Sequence, residues 1–267
     1  MNLDNCSAIV TGASAGIGRE IARELAGHAK LLVLVARRRD RLEELRTELV
    51  KVNHALRVEI AELDLSNLDQ TTQLAGALAN EPIDFLVNNA GLGDHGPFAT
   101  ADPIRVKEQI QVNILALTIL SRAVLPHMIA QKRGAILNVS SSAGFLPLPD
   151  LSVYAATKAY VTSLSEAIRA ETRGLGIVVT TLCPGPVHTE FGEVADRKQQ
   201  RQRARTTPAH VSVREVARAA LEAIERDRAL VIPGTVMKIM MAFVRALPLA
   251  LLRVGWRLSR AGKIDTR

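Results

Sequence analysis

The stretch SAIVTGASAGIGREIAREL, residues 7–25, decides how the rest of the chain is read. SAIVT is an apolar run of strand length, and GIGREIAREL carries apolar residues at helical spacing. Between them Gly12, Gly16 and Gly18 fall in a G-x-x-x-G-x-G turn. A strand that turns through glycines directly into a helix opens a βαβ unit. The glycines allow a tight turn and close approach of a ligand to the backbone. The helix start adds unpaired N–H groups and the positive end of the helix dipole, so a pyrophosphate is the expected occupant. The turn does not end in Gly-Lys-Ser/Thr, so kinase and GTPase readings fall away.

Outward from this turn, strand-length apolar runs alternate with amphipathic segments. LLVLVA (31–36) reads as a second strand, and DRLEELRTELVKV as a helix with Asp40 as N-cap and Glu43 completing a capping box. LRVEIAELD reads as a third strand ending at Asp64, and IDFLVNNAG holds a fourth. A long helix is expected from Pro103 to Gln131, with Pro126 as a kink. GAILNVSS and GIVVTTLCPG read as strands five and six around the helix SVYAATKAYVTSLSEAIRAETR. SVREVARAALEAIER follows as a helix with the capping box Ser212/Glu215, then ALVIP as strand seven. Alternation of this kind predicts an α/β fold, a single doubly wound Rossmann-like domain with a mostly parallel seven-stranded sheet. Residues 1–234 form the expected catalytic domain and 235–267 a basic amphipathic extension.

Composition narrows the function. At 48% hydrophobic residues the chain buries a sizeable core. Two cysteines, Cys6 and Cys183, argue against a disulfide framework and fit a reducing compartment. The first residues lack a basic start followed by a long apolar run, so the expected location is the cytoplasm. The net charge of +7 gathers in ARRRDR (36–41), in DRKQQRQRAR (196–205) and near the end of the chain. Only 3% of residues are aromatic, few for stacking nucleic acid bases, and no nucleic-acid-binding signature is present. No His, Cys, Asp or Glu cluster has metal-ligand spacing, so no metal is expected.

The end of the second strand should meet the adenosine ribose of a bound dinucleotide. An acid there would hold the 2′-hydroxyl of NAD and repel a 2′-phosphate. Here Ala36 is followed by Arg37, Arg38 and Arg39. Guanidinium forks onto phosphate, so NADP(H) is expected over NAD(H). A solvated basic helix start is the plainer alternative.

These motifs resemble the short-chain dehydrogenase/reductase family across residues 7 to 235. The family's cofactor turn matches TGASAGIG, which implies contacts from Gly12, Ser14, Ala15, Gly16, Ile17 and Gly18. Asp64 matches the acid that contacts the adenine, with Leu65 beside it. NNAG matches the motif that steadies the sheet and borders the cofactor, through Asn89, Ala90 and Gly91. PGPVHT matches the nicotinamide segment, through Pro184, Gly185, Val187 and Thr189. Asn113, Ser141, Tyr154 and Lys158 match the family's catalytic tetrad in order and spacing. The resemblance also implies a homodimer or homotetramer and a substrate-covering lid at 191–210.

The implied reaction interconverts a ketone or aldehyde and an alcohol, with a hydrophobic or lipid-like substrate among the expectations. Hydride addition builds negative charge on the carbonyl oxygen, which needs a hydrogen-bond donor and a proton. Tyr154 is the expected proton carrier and Ser141 the donor. Lys158, one helical turn from Tyr154, is expected to lower the phenol's pKa by its charge and to hold the nicotinamide ribose. Asn113 would hold a water linking Lys158 to solvent. A non-catalytic dinucleotide-binding regulator, or a membrane-surface scaffold of the same fold, is the rival reading. His95 and His188 lie near the site but are read as loop histidines, and Cys183 as a buried inert thiol.

In the tail, Lys238, Arg245, Arg253, Arg257 and Arg260 punctuate an apolar sequence that Pro248 should divide. Three readings stand: peripheral membrane contact through 235–260, with Trp256 near the headgroups; a dimer contact; or a wall over an apolar pocket. The basic 191–210 segment, with Arg197, Lys198, Arg201, Arg203 and Arg205, reads as a solvated face or as a lid meeting an anionic group.

Overall fold

In the computed structural model, described for residues 1–79, 81–187, 189–195, 211–247, 250 and 253, seven strands form one sheet. They are β1 (Ser7–Thr11), β2 (Leu31–Ala36), β3 (Arg57–Glu62), β4 (Phe85–Asn88), β5 (Gly134–Val139), β6 (Ile177–Leu182) and β7 (Leu230–Val231). Their order is β3-β2-β1-β4-β5-β6-β7, and every neighbouring pair is parallel. The expected doubly wound sheet is therefore present. Its strand order reverses beside β1, and ligands bind at the carboxyl ends of strands at such a switch point.

Helices cover both faces. Those named below are α1 (Gly16–Leu25), α2 (Arg39–Val52), α3 (Leu68–Leu78), α4 (Pro103–Ile110), α5 (Leu117–Gln131), α6 (Ser152–Glu171), α7 (Glu190–Ala195), α8 (Val213–Glu225) and α9 (Thr235–Ala246). Alternate strand residues feed two cores. Ala8 and Val10 of β1 join Leu32 and Leu34 under α1, α2 and α8, while Ile9 joins Val33 and Leu86 under α3 and α5. Period-two alternation of wholly apolar strands is what burial on both faces requires.

Two local expectations need correcting. Helix α2 starts at Arg39, and its N-cap, Arg38, makes no capping hydrogen bond. Asp40 lies in the first turn rather than at the cap, and Glu43 pairs with Arg39 and Arg46 instead of closing a box. Arg38 is drawn away toward Ser14 and Glu190, which sets where the helix begins. Strand β3 ends at Glu62, two residues before Asp64, whose N–H donates to Gln70 Oε1. The Ser212/Glu215 box is formed as expected.

The long helix over residues 103–131 is continuous but not uniform. Asp102 caps it and Pro103 opens it. Between α4 and α5, Gln111–Ala116 is a π-helical segment, which widens each turn by one residue.

Candidate active site

The carboxyl ends of β1, β4, β5 and β6 open onto one cleft of about 910 Å³. Its first part is the glycine turn. Gly12 and Gly16 have φ of 66° and 55°, a left-handed region that favours glycine. A Cβ at Gly12 would stand 2.8 Å from Asn89 Nδ2. Helix α1 has no side-chain cap and no acid in its first turn, so its N–H groups are free to meet an anion. These features fit a nicotinamide dinucleotide, with the pyrophosphate over the turn.

Most of the expected cofactor contacts do border this cleft: Gly12, Ser14, Ala15, Gly16, Ile17, Arg37, Asp64, Leu65, Asn89, Ala90, Gly91, Pro184, Gly185, Val187 and Thr189. Gly18 does not. A Cβ there would collide with Asn89 Nδ2, so its role is to let α1 pack against the fourth-strand loop. Asn89 Nδ2 in turn donates to Thr11 O at 2.9 Å, and Thr11 Oγ1 accepts from the N–H groups of Asn89 and Ala90. Asn88 Nδ2 donates to Ser121 Oγ and Asn138 Oδ1, both at 2.9 Å, tying β4 to α5 and β5. The NNAG motif thus steadies the sheet, as its resemblance implied.

At the adenosine end, Arg37 lies 3.8 Å from Asp64 Oδ2. Arg38 reaches back over the turn to Ser14 Oγ at 3.2 Å and pairs with Glu190 at 2.8 Å. Arg41 also grips Glu190, and the two guanidiniums hold its carboxyl below the usual carboxylate pKa. Sequence spacing gave no sign of Glu190, because α2 and α7 meet only through the fold.

The catalytic candidates meet at the other end. Ser141 caps a short 3₁₀ turn (Ser142–Phe145), its Oγ accepting from Ala143 N at 3.1 Å. Tyr154 and Lys158 project from α6 toward it, and Lys158 Nζ sits 5.8 Å from the Tyr154 ring centre. Lys158 is buried and donates from Nζ to Val139 O at 2.8 Å. Asn113, held in the π-helical segment, does not border the cleft itself. Its Oδ1 accepts from Leu92 N at 2.8 Å, and its Nδ2 donates to Leu92 O and to Thr157 Oγ1. A Cβ at Gly91 would meet Lys158 Nζ at 3.4 Å and Asn113 Oδ1 at 3.5 Å, so both groups face one small space. Ser140 Oγ donates to Lys158 O and also bonds Thr162 Oγ1.

The electrostatics differ from expectation at Tyr154. Burial pushes its phenol above the ordinary value, and the Ser141 hydrogen bond only partly opposes this. Burial also disfavours the charged amine and pulls Lys158 down to about 8. Cys183 is buried and its thiol is pushed up to about 11 by desolvation, in keeping with an inert residue.

Beyond Tyr154 the cleft turns apolar. Phe191 of α7 lies 5.4 Å from the Tyr154 ring, centre to centre. Leu92, Leu146, Leu148 and Leu151 line one side, and Met237, Met240, Met241 and Val244 of α9 the other. A Cβ at Gly185 would collide with Met237, so α9 is packed directly on the nicotinamide segment. The boundary at residue 234 is thus a change in sequence character and not a gap in packing. His95 is exposed and outside the cleft lining. His188, the basic residues 197–205, Pro248, Trp256, Arg257 and Arg260 lie outside the described residues.

Residues 7–200 match the short chain dehydrogenase family. The chain belongs to the short-chain dehydrogenase/reductase family. It is 34% identical over 191 residues to the very-long-chain 3-oxoacyl-CoA reductase of Homo sapiens, across 70% of this chain and 61% of that protein. The match thus spans about three-fifths of that relative's length. Among solved structures it is similar to a short-chain dehydrogenase from Sphingobium yanoikuyae in complex with NADPH, at TM-score 0.76 and 30% identity over 98% of this chain and 96% of that one. A short chain dehydrogenase from Burkholderia cenocepacia J2315 in complex with NADP gives TM-score 0.77 at 27% identity, over 94% and 97%. The glycine turn, the NNAG loop and the Tyr154/Lys158 pair lie along one cleft, which continues into an apolar chamber.

Proposed function

We propose that the protein is an NADPH-dependent reductase of ketones borne on long apolar chains. The observation that carries this reading is the junction at Tyr154. The half-buried Tyr154, its phenol pKa pushed up by desolvation, stands between the dinucleotide trough and a chamber walled by leucines, Phe191 and methionines. NADPH, when bound, supplies the hydride that adds to the carbonyl carbon. Tyr154 gives its proton to the carbonyl oxygen, and Ser141 Oγ stabilises the charge that builds there. Desolvation keeps the proton on the Tyr154 phenol in neutral solution, where it can be given to a carbonyl oxygen. Lys158 supplies positive charge beside the developing alkoxide. The space it shares with Asn113 at Gly91 suits a water that returns a proton to the pair.

Reduction is expected to fade in alkali earlier than an ordinary lysine would allow. Lys158 is charged below about 8 and neutral above it. In a pH profile, kcat/KM for NADPH should hold steady in neutral buffer and fall as pH rises through about 8. A profile flat up to the range of an ordinary lysine, ~10.4, would show that burial does not lower the pKa of Lys158.

The named activity of the human relative points to 3-oxoacyl thioesters as the first substrates to try. NADPH consumption should rise in kcat/KM by up to roughly fifteenfold for each added pair of methylenes until the chamber fills, since each buried methylene is worth about 0.8 kcal/mol. Equal rates for short and long chains would reject the apolar-chain reading. No turnover with any carbonyl, alongside tight NADPH binding, would reject the reductase reading itself.

A further inference from the structure

Helix α9 is apolar on more of its surface than the chamber uses. Met237 and Met241 are buried against the domain. Ile239, Phe243 and Val236 point elsewhere and are 54%, 70% and 51% exposed. At 100° per residue these three, with Met240, span roughly a third of the helix circumference. Lys238 and Arg245 lie together on a neighbouring strip, separated from the apolar one by Ala242 and Ala246. Arg245 is fixed there over the Phe145 ring, 5.2 Å from its centre.

We propose that this outer face of α9 docks on an anionic lipid bilayer. Charge complementarity selects that occupant. From residue 235 onward the chain carries seven basic residues and one acidic residue, Asp265. An exposed apolar strip flanked by cations is how a helix lies in a bilayer interface, with the apolar side among acyl chains and the cations at the headgroups. The docking side is also continuous with the chamber. Met240 lines the cleft and is 44% exposed on the outer strip. Docking would therefore bring the wall of the chamber to the lipid surface. This inference rests on the helix and its charge, not on the reductase reading, and its test does not depend on turnover.

The experiment is co-sedimentation of the full chain with vesicles of phosphatidylcholine alone or mixed with phosphatidylserine. Binding to the mixed vesicles should be at least about tenfold stronger and should weaken in high salt. Ile239→Glu/Phe243→Glu should abolish it, and Lys238→Glu should weaken it severalfold. None of these residues lines the cleft, so NADPH affinity, read by fluorescence, should be unchanged and shows that each variant is folded. Absence of binding by the parent chain, or equal binding by the Ile239→Glu/Phe243→Glu variant, would overturn the proposal. So would sedimentation equilibrium showing a dimer that the double variant splits, because a second copy would then cover this face.

Discussion

Tyr154→Phe is expected to lower reductive turnover by about three orders of magnitude and to leave NADPH binding almost unchanged. Loss of a positioned proton donor typically costs a factor of ~10²–10⁴, and here the phenol hydrogen-bonds with Ser141. The ring itself stays. Phenylalanine keeps the packing on Phe191 and opens no cavity, so a fall in rate cannot be charged to a collapsed chamber. Ser141 keeps its contact with Ala143 N and remains able to meet a carbonyl oxygen. The rate that survives therefore reports what Ser141 and Lys158 achieve without a proton. Single-turnover kinetics with NADPH in excess, paired with a fluorescence titration, separates chemistry from binding. A variant turning over within tenfold of the parent would mean that another group delivers the proton.

Arg37→Ala/Arg38→Ala should weaken NADPH binding by about a hundredfold and leave NADH binding nearly as it is. A hydrogen bond to a charged group contributes ~1.5–3 kcal/mol, and each 1.4 kcal/mol is tenfold. Two such contacts at the exposed end of the cleft therefore set the hundredfold scale. Neither arginine is idle in the structure. Arg37 faces Asp64, and Arg38 is shared between Ser14 and Glu190. A 2′-phosphate must compete with these carboxylates, which lowers the net gain below that of a free guanidinium. Isothermal titration of both dinucleotides against parent and variant reads the discrimination directly. Equal losses for NADPH and NADH would show that the arginines serve the fold or the pyrophosphate, not the 2′-phosphate.

What could be read from the sequence was whatever its short range determines. The glycine turn, the NNAG loop and the Tyr154/Lys158 pair each depend on residues a few positions apart, and the strands announced themselves as apolar runs. The sheet brought these together as expected. Errors arose where a distant group intervened. Asp40 has the chemistry of a cap, but Arg38 is pulled across the turn by Glu190, more than a hundred residues away, and the helix starts elsewhere. Helical adjacency suggested that Lys158 would acidify Tyr154, yet burial of both groups governs their titration, and burial is a property of the finished fold. Phe191 and Thr157 escaped notice for the same reason. Each is an ordinary residue on its own element and gains a role only from what packs opposite. Gly18, expected to border the cofactor, packs against Asn89 and lies outside the cleft lining.

The π-helical segment at Gln111–Ala116 bears on how such a site can be altered. It amounts to one surplus residue threaded into an otherwise regular helix, with the flanking turns keeping their phase. Deleting a single residue there would heal the spiral and return α4 and α5 to the same faces they now present. The loss would fall on Asn113, which would swing away from Leu92 and Thr157 while the surrounding core stayed in register. Length polymorphism at this point is thus a route by which a chain of this architecture could shed the Asn113 contacts without shedding its fold, and insertion is the route by which it could acquire them.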